Sequence, residues 1–372
     1  MANLFFIHTP LELFVAQQII RQESLKNNIM ISGYVGDNKH FYQLYDLMLI
    51  QSMWNEILHL DCLDVWAEIG HHHIFQNSIR ALKNFKFLNR TIKRYQVTSL
   101  LMGDMNNYSV KFSSILFDKR GIKICIFEEG SSHYHFQKHP HNGGYILNVL
   151  LAVVFDLFYF RLFYKVCFGK YCFLKDMPFE MMPIFCRYSI RPLYSESFDK
   201  QLFIHPLFSD QLKSYLNKEL EMLDCSRCVL FLSQPVYEDF DQKDHSIYFE
   251  TLARVFEKYD NNKTLIIKYH PREKQEDKHE IEKIINQKGI RFKVVGKEYN
   301  VPIEYYLQFV RFDEILCFFT STIFYDGYIY EDVKFNFMLQ ELKKVCELRG
   351  LDTRLIDEQM RMIDNIILSN KK

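Results

Sequence analysis

Two acidic residues and a glycine, Glu128-Glu129-Gly130, end an apolar run of the chain. Successive side chains of an extended chain point to opposite faces, so at most one of the two carboxylates faces a given substrate. A carboxylate beside a substrate hydroxyl can accept its proton, which is general-base chemistry. Gly130 allows a sharp turn and a close approach of the backbone to a ligand. Taken alone, the motif also suits a solvated strand end.

A histidine motif, His270-Pro271-Arg272, ends a second apolar run, TLIIKY. The imidazole can donate a hydrogen bond or a proton to a leaving phosphate. Pro271 stiffens the turn, and Arg272 can pair with a phosphate or a carboxylate. A His-Pro pair occurs at three places in the chain, and we favour His270 because the run before it is the clearest buried-strand pattern.

A row of hydroxyl side chains, Thr320-Ser321-Thr322, follows a third apolar run, ILCFF. Hydroxyls and backbone amides at a turn from a strand into a helix can bind an anion, and a helix N-terminus strengthens that binding. Ordinary helix capping is the alternative interpretation.

Three further polar side chains occupy comparable places. Glu304 lies in the first turn of a short predicted helix, where its carboxylate can bind ribose hydroxyls, as acidic residues do in other nucleotide sites. A favourable charge at a helix N-terminus explains the same residue equally well. Ser233 and Gln234 directly follow another apolar strand and are expected at the same site.

The apolar runs before these motifs are typical of buried parallel strands. The first run, LFFIH, is followed by Thr9, a plausible helix cap, and by Pro10, which suits the first helical position. The helix LELFVAQQIIRQ follows, and strand–turn–helix is the first unit of a doubly wound fold. Further strands are predicted at 28–35, 99–104, 122–130, 228–235, 264–271, 290–296 and 314–322. Helices are predicted at 41–49, 78–84, 209–223, 246–258, 277–287, 302–309, 336–348 and 353–368.

This alternation predicts an α/β fold with two Rossmann-like, doubly wound domains facing a central cleft, the GT-B arrangement. We place an N-terminal domain at 1–190, a connection at 191–227, a C-terminal domain at 228–350 and a C-terminal helix at 351–372. Ligands of open parallel sheets bind outside the carboxyl ends of the strands. Because the motifs lie at such ends, we expect them to meet in the cleft.

The charge balance argues against nucleic-acid binding. The 372 residues include 46 Lys and Arg against 46 Asp and Glu, whereas nucleic-acid binding needs a basic surface that displaces counterions. The neutral net charge also argues mildly against binding of a long polyanion. The nine cysteines have no regular spacing and no signal peptide opens the sequence, so we expect free thiols and a cytoplasmic location.

The stretch Tyr145–Phe168 is very apolar. A spanning helix needs about 20 nearly uncharged residues, and Asp156, Arg161 and Lys165 interrupt this stretch. We therefore predict no transmembrane segment and favour an amphipathic or buried helix pair. Peripheral contact with the inner face of the cytoplasmic membrane is the alternative.

No motif predicts a metal site. Asp239–Asp241 lies in an acidic loop, and the consecutive residues His71–His73 cannot share one face of a helix or strand. Cys225–Cys228 has zinc spacing, but no second Cys pair completes the site.

The order of the motifs is more specific than any one of them. This order resembles that of the bacterial sialyltransferases, in which a D/E-D/E-G motif is followed by an HP motif and then by a Ser/Thr motif. The opening LFFIHTPLELFVAQQII is similar to the start of the lipooligosaccharide sialyltransferases of glycosyltransferase family 52. The resemblance spans roughly residues 3 to 330.

This resemblance implies a catalytic pair. Glu128 would be the general base that activates the acceptor hydroxyl, and Glu129 would support the loop. His270 would contact the phosphate of CMP as general acid or electrostatic stabiliser. Many relatives have aspartate in the first motif, so the longer glutamates leave open which carboxylate reaches the substrate.

The resemblance also implies the two sides of the site. Ser321, with its neighbours Thr320 and Thr322, would bind the phosphate, and Glu304 would hold the ribose. The remaining donor-side residues are Pro271, Arg272, Ser233 and Gln234, and the acceptor-side residues are Glu129, Gly130, Thr9 and Pro10.

The expected function is that of an inverting sialyltransferase. It would move sialic acid from CMP-sialic acid to a terminal sugar of a bacterial lipooligosaccharide or capsule. Galactose is the terminal sugar we expect. The family suggests an α2,3 linkage. No metal or other cofactor is expected, because histidine and hydroxyls can stabilise the single phosphate of CMP.

Three alternatives stay open. They are a GT-B transferase that uses another nucleotide sugar, such as a glucosyltransferase, a polysialyltransferase, and an inactive nucleotide-sugar-binding protein. The oligomeric state also stays open, a homodimer included.

Overall fold

A computed structural model gives the fold of the chain. The structure describes residues 1–34, 39–61, 87–103, 121–128, 185–190, 199–221, 223, 227–239, 245–259, 262–325, 327, 329–330 and 333–370. They form two compact units, Met1–Phe203 and Ile204–Lys372. The predicted connection at 191–227 is thus divided between the two units.

The first unit contains a parallel sheet of seven strands in the order β3-β2-β1-β4-β5-β6-β7. The strands are β1 (Ala2–Ile7), β2 (Asn28–Tyr34), β3 (Glu56–Asp61), β4 (Val97–Met102), β5 (Lys123–Phe127), β6 (Cys186–Ser189) and β7 (Asp199–Gln201). The described helices include α1 (Pro10–Gln22) and α2 (Lys39–Met48), and a helical segment covers 87–95. The direction of the strand order reverses between β1 and β4, which is the switch point where such sheets bind ligands.

The core of this unit explains its apolar strands. In β1, Leu4, Phe5 and Ile7 have no exposed surface, as expected for a parallel strand covered on both faces. One hydrophobic cluster joins side chains of β1, β2, β4, β5 and the segment 87–95, among them Leu4, Phe6, Ile31, Leu100 and Ile126. Central parallel strands of this unit can therefore be recognised from their composition.

The second unit contains a parallel sheet of five strands in the order β10-β9-β8-β11-β12. The strands are β8 (Cys228–Leu232), β9 (Thr264–Lys268), β10 (Phe292–Val295), β11 (Glu314–Cys317) and β12 (Lys334–Phe337). The helices are α3 (Asp210–Leu220), α4 (Val236–Asp239), α5 (Ser246–Glu257), α6 (Gln275–Gln287), α7 (Ile303–Phe309), α8 (Leu339–Leu348) and α9 (Arg354–Asn370). Here the switch point lies between β8 and β11.

The α/β fold class with two Rossmann-like domains is confirmed. One boundary was wrong, because the predicted helix at 336–348 begins as a strand. Residues 334–337 pair in parallel with β11, and the rings of Phe335 and Phe337 stack with their centroids 5.8 Å apart. Side chains two residues apart share a face of a strand, and this pairing excludes a helix there.

Several sequence predictions lie outside the described residues. They concern the helix at 78–84, His71–His73 and the apolar stretch Tyr145–Phe168. In the part of the chain that the structure describes, no helix has the length and apolar character needed to cross a membrane.

Candidate active site

Three strand ends of the second unit meet at the carboxyl edge of its sheet. The backbone N–H of His270, after β9, donates to Ser233 Oγ, after β8, over 3.1 Å. The backbone N–H of Phe319, after β11, donates to Gln234 Oε1 over 3.2 Å. The structure therefore brings Ser233 and Gln234 together with the ends of β9 and β11, across the switch point.

The imidazole of His270 has a defined tautomer. The backbone N–H of Arg272 donates to His270 Nδ1 over 3.2 Å. A backbone N–H can only donate, so Nδ1 accepts and the neutral ring carries its proton on Nε2. The ring is half-buried, and this tautomer can offer an N–H to an anionic oxygen.

A buried carboxylate lies below this turn. Glu273 is 4% exposed, and its Oε2 accepts from Ser233 Oγ over 2.5 Å. Its Oε1 accepts from the hydroxyl of Tyr248 over 3.0 Å, and its backbone N–H donates to the carbonyl of His270 over 3.0 Å. Burial raises the pKa of the Glu273 carboxyl, while the two hydroxyl donors act in the opposite direction. Glu273 is not among the site residues predicted from the sequence, although it lies three residues after His270.

The hydroxyl motif forms a tight local turn. Thr320 Oγ1 donates to Thr322 Oγ1 over 2.9 Å and accepts from the backbone N–H of Thr322 over 3.2 Å. Thr322 is 1% exposed, and its carbonyl accepts from the hydroxyl of Tyr330. The segment Ser321–Tyr325 is a 3-10 helix of five residues, which is too short for the helix N-terminus that the sequence suggested. Thr320 is half-buried and lies three residues after the end of β11, and the side chain of Ser321 lies outside the described residues.

Glu304 lies in a buried, charged environment. It is 4% exposed in the first turn of α7, and burial raises the pKa of its carboxyl. The opposing charge is Lys268, the last residue of β9, whose Nζ donates to Asn300 Oδ1. Burial lowers the pKa of Lys268 to about 8, although Glu304 and Glu219 raise it. Lys268 is likewise not among the site residues predicted from the sequence.

The loop before α7 is held by Glu219 of α3. Its Oε2 and Oε1 accept from the backbone N–H of Gly296 over 2.9 Å and 3.0 Å, and Tyr306 donates its hydroxyl to Oε2. Gly296 has a φ of +72°, a conformation that side-chain-bearing residues rarely adopt. These contacts position the segment that carries Asn300 and Glu304.

In the first unit, Glu128 lies where the sequence predicts it, directly after β5. Its side chain is fully buried, and its Oε2 accepts from the backbone N–H of Ile190, after β6, over 2.8 Å. The carboxylate therefore links two neighbouring strand ends. Glu129 and Gly130 lie outside the described residues.

Thr9 and Pro10 begin α1, as predicted. Thr9 Oγ1 accepts from the backbone N–H of Glu12 over 3.2 Å, and Glu12 Oε2 accepts from that of Thr9 over 2.8 Å, which is a complete capping box. Glu12 is fully buried and lies against Gly103, where an added Cβ atom would collide with its Oε1. The described contacts of Thr9 thus belong to helix capping.

Metal binding finds no support in the described ranges. Within them no three His, Cys, Asp or Glu side chains are grouped closely enough to hold an ion. Of the three motifs considered for metal, only Asp239 and the last two residues of the Cys motif, Arg227 and Cys228, lie among the described residues.

One family model matches most of the chain. It is described as Alpha-2,8-polysialyltransferase (POLYST) and matches residues 3–338. No curated protein sequence matches the chain.

Solved structures resemble the chain at low identity. UDP-GlcNAc 2-epimerase from Methanocaldococcus jannaschii has a TM-score of 0.48 and 12% identity, with 93% of this chain and 92% of that chain covered. Alpha/beta-galactoside alpha-2,3-sialyltransferase from Photobacterium phosphoreum has a TM-score of 0.44 and 11% identity, with 95% and 96% covered. MurG from Acinetobacter baumannii has a TM-score of 0.42 and 11% identity, with 98% and 99% covered.

Proposed function

This chain belongs to the alpha-2,8-polysialyltransferase family, and from that premise we propose that it transfers sialic acid from CMP-sialic acid to a glycan. Family membership makes it a sialyltransferase-like glycosyltransferase. The resemblance to glycosyltransferase family 52 is not confirmed by this match. The donor, the acceptor and the catalytic residues are the parts that we propose.

The donor would bind at the carboxyl edge of the second sheet. The observation that carries this proposal is His270, which lies where β8 and β9 end and whose neutral ring keeps its proton on Nε2. An N–H aimed at a phosphate oxygen stabilises the charge that develops as CMP leaves. Thr320 and the backbone of the neighbouring turn would supply further polar groups, and Lys268 and Glu304 would lie on the ribose side of the proposed site.

The reaction would be a single inverting displacement. The acceptor hydroxyl oxygen forms a bond to the anomeric carbon of sialic acid while the bond from that carbon to the phosphate oxygen breaks. The hydroxyl proton goes to Glu128, and CMP leaves with its new negative charge facing His270 Nε2–H. We propose that no metal takes part, because one phosphate needs only these donors.

The acceptor we propose is a glycan that ends in sialic acid, joined by an α2,8 linkage. The description of the matched family favours it over the terminal galactose expected from the sequence. The neutral overall charge was an argument against a long anionic acceptor, but a net charge does not describe the charge near one site. An acceptor that ends in galactose is therefore the second acceptor to be compared in the test.

The test measures CMP release from CMP-sialic acid. We expect turnover with an oligosialic acid acceptor, less with a lactose-type acceptor, and the same rates when a chelator is added. His270→Gln should lower turnover at least about 100-fold, since one lost transition-state donor costs that much.

A UDP-sugar in place of CMP-sialic acid is the matched donor control. Release of UDP without release of CMP would overturn the donor assignment. Activity that is higher on lactose than on oligosialic acid would overturn the acceptor assignment and leave the donor assignment standing.

A further inference from the structure

The short hydrogen bond from Ser233 Oγ to Glu273 Oε2, which lies next to the His270 turn, has no part in the reaction described above. Ser233 Oγ accepts a hydrogen bond from the backbone N–H of His270 and donates its own proton to Glu273 Oε2. Glu273 is held in turn by the hydroxyl of Tyr248 and by its own N–H to the His270 carbonyl. The His270 amide is thereby linked to the Glu273 side chain through Ser233, and the His270 carbonyl is bonded to the Glu273 backbone.

The hydroxyl of Ser233 has one proton that can rotate. With the Glu273 carboxylate at 2.5 Å, the proton points to that carboxylate and an oxygen lone pair stays directed at His270 N–H. Without the carboxylate the hydroxyl can rotate, and the acceptor for His270 N–H is no longer fixed. The carboxylate thus controls the backbone of His270 through one intervening atom.

Burial makes this arrangement costly. Moving a carboxylate out of water carries a penalty that hydrogen bonds only partly offset. Glu273 is 4% exposed, its two hydroxyl donors are both buried, and the acidic Asp277 lies four residues further along the chain and raises the pKa of Glu273. A neutral or apolar side chain would fill the same place with a smaller penalty, so packing does not explain a carboxyl group here.

We propose that Glu273 is a positioning residue of the transferase site, which through Ser233 Oγ fixes the backbone of His270 and so the direction of its Nε2–H. This inference rests on the proposed function for its role in transfer, but not for the geometry itself. Glu273 does not touch the substrate in this proposal. It acts only through Ser233 and His270.

The expected kinetic effect follows from geometry. A displacement of about 1 Å in a catalytic group can cost about 100-fold in rate. Ser233→Ala and Glu273→Met, which leaves no oxygen to accept the Ser233 proton, should each lower kcat about 10- to 100-fold, with KM for CMP-sialic acid changed less than about threefold. The double variant should be little worse than the poorer single variant, because both changes break one connected unit.

Glu282→Met is the matched control. Glu282 lies on α6, and its Oε1 accepts a hydrogen bond from the hydroxyl of Tyr269 over 3.1 Å. Tyr269 is the residue directly before His270. Glu282 is therefore a glutamate bonded to a tyrosine near the same turn, without a link to Ser233. We expect kcat of this variant within about twofold of the wild type.

A second readout does not depend on turnover. In protein labelled with ¹⁵N-histidine, the His270 signals, assigned with His270→Gln, should show a protonated Nε2 and an accepting Nδ1 in the wild type. Ser233→Ala and Glu273→Met should show a mixture of tautomers, while Glu282→Met should match the wild type. Thermal melting identifies folded variants, and Ser233→Ala removes the same link with the smaller change in volume.

The outcomes separate the two proposals. Unchanged kcat in both variants, or losses that multiply in the double variant, would overturn the positioning role. An unchanged His270 tautomer in both variants would overturn it as well, even in a protein with no activity. Failure of the wild type to release CMP would overturn the proposed function, while the histidine spectra would still decide the geometry.

Discussion

His270 illustrates how one backbone contact determines what a side chain can do. Its Nδ1 accepts from Arg272 N–H, so Nε2 is a donor. In the same unit, His245 Nδ1 lies 3.0 Å from Asp277 Oδ1, so a neutral His245 ring that donates to this carboxylate has an accepting Nε2. A neutral ring thus presents a different Nε2 in the two places, and the Nε2–H of His270 suits a phosphate oxygen.

Glu128→Gln tests the role of the acidic residue at the residue scale. A glutamine amide oxygen can still accept from Ile190 N–H, but it cannot accept a proton from the acceptor hydroxyl. We expect kcat to fall about 100-fold or more, consistent with the loss of a general base, with no more than a small change in melting temperature. Steady-state CMP release and thermal melting measure the two effects.

Glu128→Ala supplies the comparison, since it also removes the contact with Ile190. We expect it to melt lower than Glu128→Gln and to be equally inactive. If Glu128→Gln keeps its activity while Glu128→Ala is only less stable, the carboxylate serves the fold and another group is the base.

The buried Lys268 predicts a pH dependence of stability. The unfolded chain holds this proton up to the ordinary pKa of 10.5, whereas the folded chain releases it above about 8. The unfolded state therefore binds more protons between these values, and stability contributed by this group rises with pH there. The gain is at most about 3 kcal/mol, from 1.36 kcal/mol per pKa unit.

Lys268→Met should lack this rise. We expect the free energy of unfolding of the wild type to increase relative to that of the variant between pH 7.5 and 10. Urea denaturation at each pH measures both free energies. Lys288→Met, which removes a partly exposed lysine paired with Glu257 at 2.7 Å, should follow the wild type. Parallel curves for the wild type and Lys268→Met would contradict the lowered pKa.

At the scale of elements, long apolar runs and helix caps could be predicted from the sequence. The runs before Thr9 and His270 are strands, and Thr9 with Pro10 begins α1. Strands β6, β7 and β12 have only three or four residues and no longer apolar run around them, whereas the equally short β11 is predicted because Phe318 and Phe319 extend its apolar run. The positions of β6, β7 and β12 depend on pairing with a neighbour that the local sequence does not specify.

The same reason limits prediction of the site. Ser233 and Glu273 are 40 residues apart, and only the pairing of β8 with β9 brings them together. The motif residues could be found because they directly follow strands. Glu273 and Lys268 could not, because their roles come from burial and from partners on other elements.

For the whole molecule, the proposal predicts where a nucleotide is bound. Hydrogen exchange with and without CMP should show protection in peptides covering 233–236, 268–273 and 318–322. Peptides covering 7–12, 100–103 and 125–128, at the equivalent edge of the first sheet, should change little. UDP is the matched control ligand and should protect less.

Protection by CMP at the first sheet alone would reverse the proposed assignment of donor and acceptor sides. Protection at both sheets would show that CMP affects more than the second unit. Each unit has a parallel sheet with polar residues at its carboxyl edge, so this experiment distinguishes two edges that the fold makes equivalent.

The contact between Gly103 and Glu12 restricts the order in which substitutions at these two positions can be accepted during evolution. A methyl group at position 103 would collide with a carboxylate that caps α1, so alanine is unfavourable there while glutamate remains at position 12. A shorter residue at position 12 must come first, and that step gives up the capping box. Substitutions at the two positions are therefore expected to be accepted in one order and selected against in the other.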